Sequence, residues 1–168
     1  MAGDRLVYTD MDFTHDESAI RWTDRNEDGG SLRNKIDTMV WKRARDVFGH
    51  HTLFGTDGIT PADIGQGSIG NCWFMSASAA IAEVPGRMER IFLNTENYLN
   101  FAGIYAVNFW TLGVPHTVIV DDYLPLKEKN GSYETLFAKV SPDGAIWGPI
   151  LEKAFAKYHG NYQHIIGG

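Results

Sequence analysis

Residues 63–84 read DIGQGSIGNCWFMSASAAIAEV, a glycine-rich turn that leads into the strongest helical pattern of the chain. From Cys72 to Val84 there are thirteen residues without glycine or proline. This run is rich in alanine and apolar on almost all sides, which predicts a buried central helix. The dipeptide Pro85-Gly86 follows the run directly and is expected to end the helix.

The only cysteine of the chain, Cys72, opens this predicted helix. The unpaired amides and the dipole of a helix N-terminus favour an anion, so this position favours a nucleophilic thiolate. A buried, inert cysteine is the alternative reading of the same position. Gln66 lies six residues upstream in a glycine-flanked turn, where its side-chain amide can donate to an oxyanion, and Trp73 follows the cysteine. A Cys-Trp pair at the start of a helix is the arrangement at the papain nucleophile.

Length and charge restrict the class of protein. The 168 residues fit one domain, and 43% hydrophobic with 12% aromatic residues allow a packed core. The net charge of −6 argues against nucleic-acid binding and against a polybasic membrane patch. No stretch approaches the roughly 18 apolar residues of a membrane span. One cysteine forms no internal disulfide, so we expect an intracellular, cytoplasmic protein.

The N-terminal part of the chain, residues 1–35, is polar and aperiodic and is predicted to be an extension. Phe13, Ile20 and Trp22 are expected to attach it to the rest of the protein without forming helices or strands. Residues 24–29 match the first half of an EF-hand loop, but Lys35 stands where that loop needs a glutamate, which argues against calcium binding and favours an ordinary loop.

Hydrophobic spacing predicts the remaining elements. Ile36–Phe48 has apolar residues three and four apart, which predicts a short amphipathic helix that ends near Gly49. Three further segments are predicted from alternation and turn signals: a strand at 104–110 with an antiparallel partner at 117–120 across residues 113–115, and a loop or short hairpin within 126–145 around Asn130-Gly131.

The last predicted helix begins near Pro149 and ends at Gly160. Its apolar face carries Ile150, Leu151, Ala154, Phe155 and Tyr158, and the charged residues Glu152, Lys153 and Lys157 are expected elsewhere. Two or three helices with a small antiparallel sheet make an α+β domain.

Four motifs of this chain together resemble the calpain cysteine proteases, in the order and spacing of that family from about residue 50 onward. These motifs are residues 63–74, 101–105, 118–125 and 147–162, followed by Gly167-Gly168. The resemblance implies that residues 36–168 are the first, nucleophile-bearing subdomain of a papain-like core, the helix-rich left lobe with a central nucleophile helix.

The resemblance also assigns catalytic roles. Cys72 takes the nucleophile position and Gln66 the oxyanion-hole position, with the Cys72 backbone amide as the second donor. In calpains the catalytic histidine and asparagine lie on a second subdomain, whereas this chain ends 96 residues after Cys72. We therefore expect half of a protease core, inactive alone. None of the six histidines occupies a family catalytic position, and the pair Asp121-Asp122 is expected to have a structural role because neighbouring strand residues point to opposite faces.

Calpains bind calcium on this subdomain, and the resemblance places that site at the carbonyls of Thr56 and Gly58 and the carboxylate of Asp63. Oxygen ligands from a glycine-containing loop suit calcium. The family's glutamate ligand falls on Ala145, with Asp143 as the alternative. In the family, an arginine two residues before the aspartate relays calcium binding to the second subdomain, and Pro61 stands at that position here. The expectation is a weakened calcium site and no required cofactor.

Two functions remain open from the sequence. One is the nucleophile half of an endopeptidase that acts on polypeptides once a second subdomain or another chain supplies the histidine and the asparagine. The other is an inactive calpain-like scaffold that serves as an interaction module in a larger assembly. The pH dependence of Cys72 alkylation and a peptidase assay discriminate between them.

Overall fold

The computed structural model describes residues 6–20, 37–65 and 70–167. Gln66, Trp22 and the residues that resemble an EF-hand lie outside these ranges. Within them the chain forms five strands, namely β1 (Met39–Arg43), β2 (Ile104–Thr111), β3 (Val114–Asp121), β4 (Tyr123–Lys129) and β5 (Ser132–Thr135). The helices are α1 (Glu17–Ile20), α2 (Ala44–Val47), α3 (Cys72–Ala82) and α4 (Trp147–His159), with 3₁₀ turns at Pro61–Asp63, Glu89–Ile91 and Tyr162–Ile165. The predicted α+β class is confirmed.

The first predicted strand pair is confirmed as the antiparallel hairpin β2–β3, in register from Ile104 opposite Asp121 to Thr111 opposite Val114. The turn is shorter than expected. It consists of Leu112 and Gly113, whose φ angles of 52° and 79° are both positive, as a two-residue hairpin turn requires. Pro115 therefore lies inside β3.

Of the two alternatives for residues 126–145, a loop or a short hairpin around Asn130-Gly131, the structure contains the hairpin, formed by β4 and β5. Both turn residues again have positive φ, 52° and 79°. The strand order of this second sheet is β1-β4-β5. Both of its pairings are antiparallel.

The amphipathic helix predicted over Ile36–Phe48 is wrong. The segment Met39–Arg43 is strand β1, and only the one-turn helix α2 follows it. Val40 and Trp41 favour a strand, and pairing with β4 supplies the backbone hydrogen bonds that a helix would otherwise make. This tertiary pairing overrides the helical spacing of the apolar residues.

Helix α4 is the most deeply buried helix of the fold. It begins two residues before Pro149 and ends before Gly160, which has a φ of 104°. Its apolar residues contribute to both hydrophobic clusters of the molecule. The expectation that Glu152 and Lys153 lie away from the core is wrong, since both are fully buried. Their hydrogen-bond partners offset the cost of burying charge.

Helix α3 is buried on one side only, contrary to the prediction. Phe74, Met75, Ser78 and Ala82 face the core. Cys72, Trp73, Ser76, Ala77 and Ala80 are exposed. The small residues of this helix therefore form an open face.

The N-terminal segment packs onto the body in its described part. Phe13, Ala19 and Ile20 are buried in the smaller hydrophobic cluster, together with Phe137 and Tyr162. The buried Asp10 carboxylate binds Lys157 Nζ at 2.7 Å. The attachment through Phe13 and Ile20 is thus as expected, although Ile20 ends the short helix α1. The boundary at residue 35 stays a prediction.

None of the helices in the described part of the chain has the length and apolar character needed to cross a membrane.

Candidate active site

Cys72 is the first residue of α3, and its side chain is exposed. The carbonyl of Asn71 accepts the N–H groups of Phe74 at 3.0 Å and Met75 at 3.2 Å, which starts the helix at Cys72. A cavity of about 270 Å³ opens beside the cysteine and is lined by Pro61, Ile64, Cys72, Met75, Ser76 and Ala79. The thiol is therefore accessible and borders a partly apolar depression.

Two hydrogen bonds connect this helix start to the end of the described chain. Gly167 N–H donates to the Gly70 carbonyl at 2.8 Å. Trp73 Nε1 donates to the Ile165 carbonyl at 3.2 Å. The ring of Trp73 also meets that of Phe155 edge-on, with 5.7 Å between centroids. The residues on both sides of Cys72 are thus held by α4 and by the segment after it.

Glu152 also contacts the start of α3, through Asn71. Its Oε1 accepts Asn71 Nδ2 at 2.7 Å, and its Oε2 accepts the Ala138 amide at 2.9 Å. Burial raises the pKa of Glu152 to about 7, although both hydrogen bonds and the charge of Lys139 act in the opposite direction. Sequence reasoning missed Glu152 and Asn71 because the two residues are 81 positions apart.

The predicted oxyanion donor Gln66 lies outside the described residues, so its catalytic role stays a prediction. Among the described residues, no histidine donates a hydrogen bond to Cys72 or accepts one from it, and the expectation that none of the six is catalytic stays a prediction. His15 stacks on Tyr123 at 4.1 Å. His164 Nδ1 lies 2.6 Å from the His159 carbonyl.

The structural role predicted for Asp121 and Asp122 agrees with their contacts. Both side chains are buried, and each pairs with a different basic side chain. Asp122 Oδ1 accepts Arg43 Nη1 at 2.5 Å, whereas Asp121 pairs with Lys153 Nζ. Asp121 also accepts the backbone amide of Asp10 at 2.8 Å. These carboxylates connect strands, a helix and the N-terminal segment.

The carboxylate predicted to bind calcium, that of Asp63, is occupied by hydrogen bonds. Its Oδ2 accepts Thr60 N at 2.9 Å and Trp147 Nε1 at 3.0 Å. Its Oδ1 accepts Thr60 Oγ1 at 2.9 Å. Ala145, at the family's glutamate position, is buried and offers no side-chain oxygen.

The predicted carbonyl loop is organised around another carboxylate. Asp143 Oδ2 accepts the amide of Thr56 at 2.9 Å, and its Oδ1 accepts Ser141 Oγ. A Cβ on Gly55, where φ is +82°, would lie 2.0 Å from Asp143 Oδ2, so this approach requires glycine. Burial opposes ionisation of Asp143, but its hydrogen bonds outweigh burial and hold its pKa below the ordinary value.

This donor set does not fit calcium, which takes roughly six to eight oxygen ligands. Across residues 6–20, 37–65 and 70–167, no three His, Cys, Asp or Glu side chains come together as a metal cluster. Calcium on Thr56, Gly58 and Asp63 therefore stays a prediction from resemblance that the hydrogen bonding of this region opposes.

An exposed cysteine at the start of a half-buried helix, in an α+β domain with small antiparallel sheets, is the layout of one lobe of a papain-like cysteine protease. A family model described as calpain family cysteine protease matches residues 8–168. The chain belongs to this family.

Curated relatives agree with the family model. The chain is 33% identical over 135 residues to Calpain-5 of Caenorhabditis elegans, a match that covers 77% of this chain and 20% of that protein. It is 33% identical over 140 residues to human Calpain-12 and to the Calpain-1 catalytic subunit of Sus scrofa, covering 83% of this chain and 19% of each relative. The chain thus spans about a fifth of the length of these relatives.

Proposed function

We propose that this chain is the nucleophile-bearing half of a calpain-like cysteine endopeptidase. The observation that carries the proposal is the exposure of Cys72 at the first position of α3, on an open helix face beside a cavity. The first turn of an α-helix presents unpaired amide donors and a partial positive charge, which favour the thiolate form.

The reaction is a two-step acyl transfer. The Cys72 thiolate attacks the peptide carbonyl carbon, and the oxyanion that forms is bound by the Gln66 side chain and the Cys72 backbone amide. The C–N bond then breaks, and the leaving amine takes a proton from the histidine that had accepted the thiol proton. Water hydrolyses the thioester and returns the free thiol.

The histidine and its orienting asparagine come, in this proposal, from a second protease subdomain that packs on the open face of α3. The chain alone is then a poor peptidase, because no described histidine hydrogen-bonds to Cys72. Its substrates are polypeptides. An intracellular, cytoplasmic location stays a prediction from the single cysteine.

Alkylation by iodoacetamide tests the nucleophile. Cys72 is the only cysteine, so the same chain unfolded in guanidinium is an internal control. We expect the folded chain to be alkylated faster than the unfolded chain at neutral pH, because the exposed thiol lies at the amide donors of a helix start. Equal or slower alkylation of the folded chain at this pH would overturn the proposal.

A second candidate is an inactive scaffold that binds another protein. The tip of the β2–β3 hairpin favours it, since Trp110, Leu112 and Val114 are all exposed there. A peptidase assay with an added second subdomain from a calpain relative discriminates between the candidates, with Cys72→Ala as the control. Cleavage that requires Cys72 supports the protease, whereas tight association without cleavage supports the scaffold.

A further inference from the structure

Glu152 joins three separate segments at one buried point. It lies in α4 and is fully buried. One carboxylate oxygen binds the side chain of Asn71, directly before Cys72, and the other binds the amide of Ala138, which follows β5. The carboxylate therefore fixes the start of α3 relative to α4 and to the end of the β4–β5 hairpin.

Asn71 uses its side chain in an unusual way for the residue before a helix. Asparagine at this position commonly caps the helix by accepting an amide of the first turn. Here the side chain makes no capping bond, and its amide nitrogen points to Glu152 instead. Its Oδ1 is buried without a partner among the described residues. The bond to Glu152 is thus formed at the expense of a helix cap.

We propose that Glu152 is a positioning residue, which acts through Asn71 to hold the first turn of α3 and so fixes the orientation of the Cys72 thiol. The catalytic meaning of this role rests on the proposed function. The positioning itself does not, because it concerns the turn and not the reaction.

The surroundings of Glu152 allow its charge to matter. Asn71 faces it from the start of α3, and Lys139 acts on it from the residue after Ala138. Burial and then the charges of Glu152 and Asp121 raise the pKa of Tyr162, in the 3₁₀ turn after α4. Lys139 Nζ donates to the Thr135 carbonyl at 2.7 Å, and Glu152 takes part in none of the ion pairs among the described residues. Protonation of the carboxylate weakens its hydrogen bond with Asn71, since bonds to a charged acceptor are the stronger ones.

The test compares Glu152→Ala, Glu152→Gln and Asn71→Ala with a matched control, Glu83→Gln, at the exposed C-cap of α3. Hydrogen exchange is measured at the amides of Phe74 and Met75, which bind the Asn71 carbonyl. We expect both alanine variants to speed exchange at these two amides about tenfold, the factor for one lost hydrogen bond of ordinary strength. The C-terminal half of α3 and the control variant should remain unchanged.

Glu152→Gln separates shape from charge. A rotation of the Asn71 amide lets the glutamine keep one bond to each segment, so slow exchange should be restored. When the alkylation rate of Cys72 is plotted against pH, the wild type should show an inflection near the pKa of Glu152, and the glutamine variant should lack it. A role confined to stability would lower the melting temperature of the alanine variant, and the pH profile of Cys72 alkylation would then be the same in wild type and in Glu152→Gln.

The outcomes distinguish the two proposals. Unchanged exchange at Phe74 and Met75 in Glu152→Ala, or a uniform increase along α3, overturns the positioning role whatever the thiol does. Faster local exchange supports that role even if folded and unfolded chains alkylate alike, and in that case only the proposed protease function is lost.

Discussion

At the scale of single residues, the carboxyl group of Glu152 has the most consequential environment in this chain. Burial raises its pKa from 4.5 to about 7. The native state therefore holds a proton that the unfolded chain has already released in this interval. Because the native state binds more protons there, the free energy of unfolding falls as the pH rises from about 4.5 to about 7.

Glu152→Gln is expected to remove this pH dependence, since glutamine does not ionise. The loss of stability in the wild type across the interval is about 3 kcal/mol, at 1.36 kcal/mol for each pKa unit. Urea unfolding at a series of pH values measures it. Glu83→Gln, at an exposed position, should keep the wild-type slope. Equal slopes in wild type and Glu152→Gln would contradict the assignment of the titration to Glu152.

At the scale of elements, the loop between α2 and the Pro61–Asp63 turn is held by a carboxylate. The amides of Thr56 and Asp57 donate to Asp143 Oδ2. A negative side chain thus organises the backbone that the family resemblance assigns to a cation. Hydrogen bonds within the protein therefore hold this loop.

Asp143→Ala is expected to lower the free energy of unfolding by about 1–3 kcal/mol, because these donors lose a charged acceptor. Calcium should raise the melting temperature of neither wild type nor variant. Thermal unfolding with calcium and with a chelator measures both effects. Asp57→Ala, exposed in the same loop, is the control. A calcium-dependent rise in wild type that Asp63→Asn abolishes would restore the metal site.

The elements also show what a single sequence reveals. Both hairpins were predictable because alternation and turn residues such as Asn130-Gly131 are local signals. Strand β1 was not, since its partner β4 lies far along the chain and the pairing decides its conformation. Cys72 was found from its immediate neighbours. The hydrogen bond between Asn71 and Glu152 was not predictable, because it forms only when α4 packs against the start of α3.

At the scale of the whole molecule, the N-terminal segment and the body form one packed unit in the described residues. Phe13 packs against Tyr162 with ring centroids 6.0 Å apart, and Asp10 binds Lys157 on α4. The smaller hydrophobic cluster contains residues from both ends of the chain. Unfolding of this segment is therefore expected to be coupled to that of α4.

Phe13→Ala is expected to destabilise the protein by about 3 kcal/mol, the usual cost of removing a buried phenylalanine ring. The transition should stay a single one, with fluorescence and circular dichroism coinciding. Leu6→Ala, at a position that is 91% exposed, is the control and should change stability by less than about 0.5 kcal/mol. An early separate transition in Phe13→Ala would mean that the segment folds independently.

The hydrogen bond from Gly167 to Gly70 has a practical consequence for labelling. Gly70 is two residues before Cys72. A group joined to the chain close to Gly167 is therefore near the nucleophile in space, although the two positions are far apart in sequence. A donor fluorophore at this end would report the arrival of an acceptor-labelled reagent at Cys72. A bulky purification handle at the same end would crowd the thiol and slow that reagent.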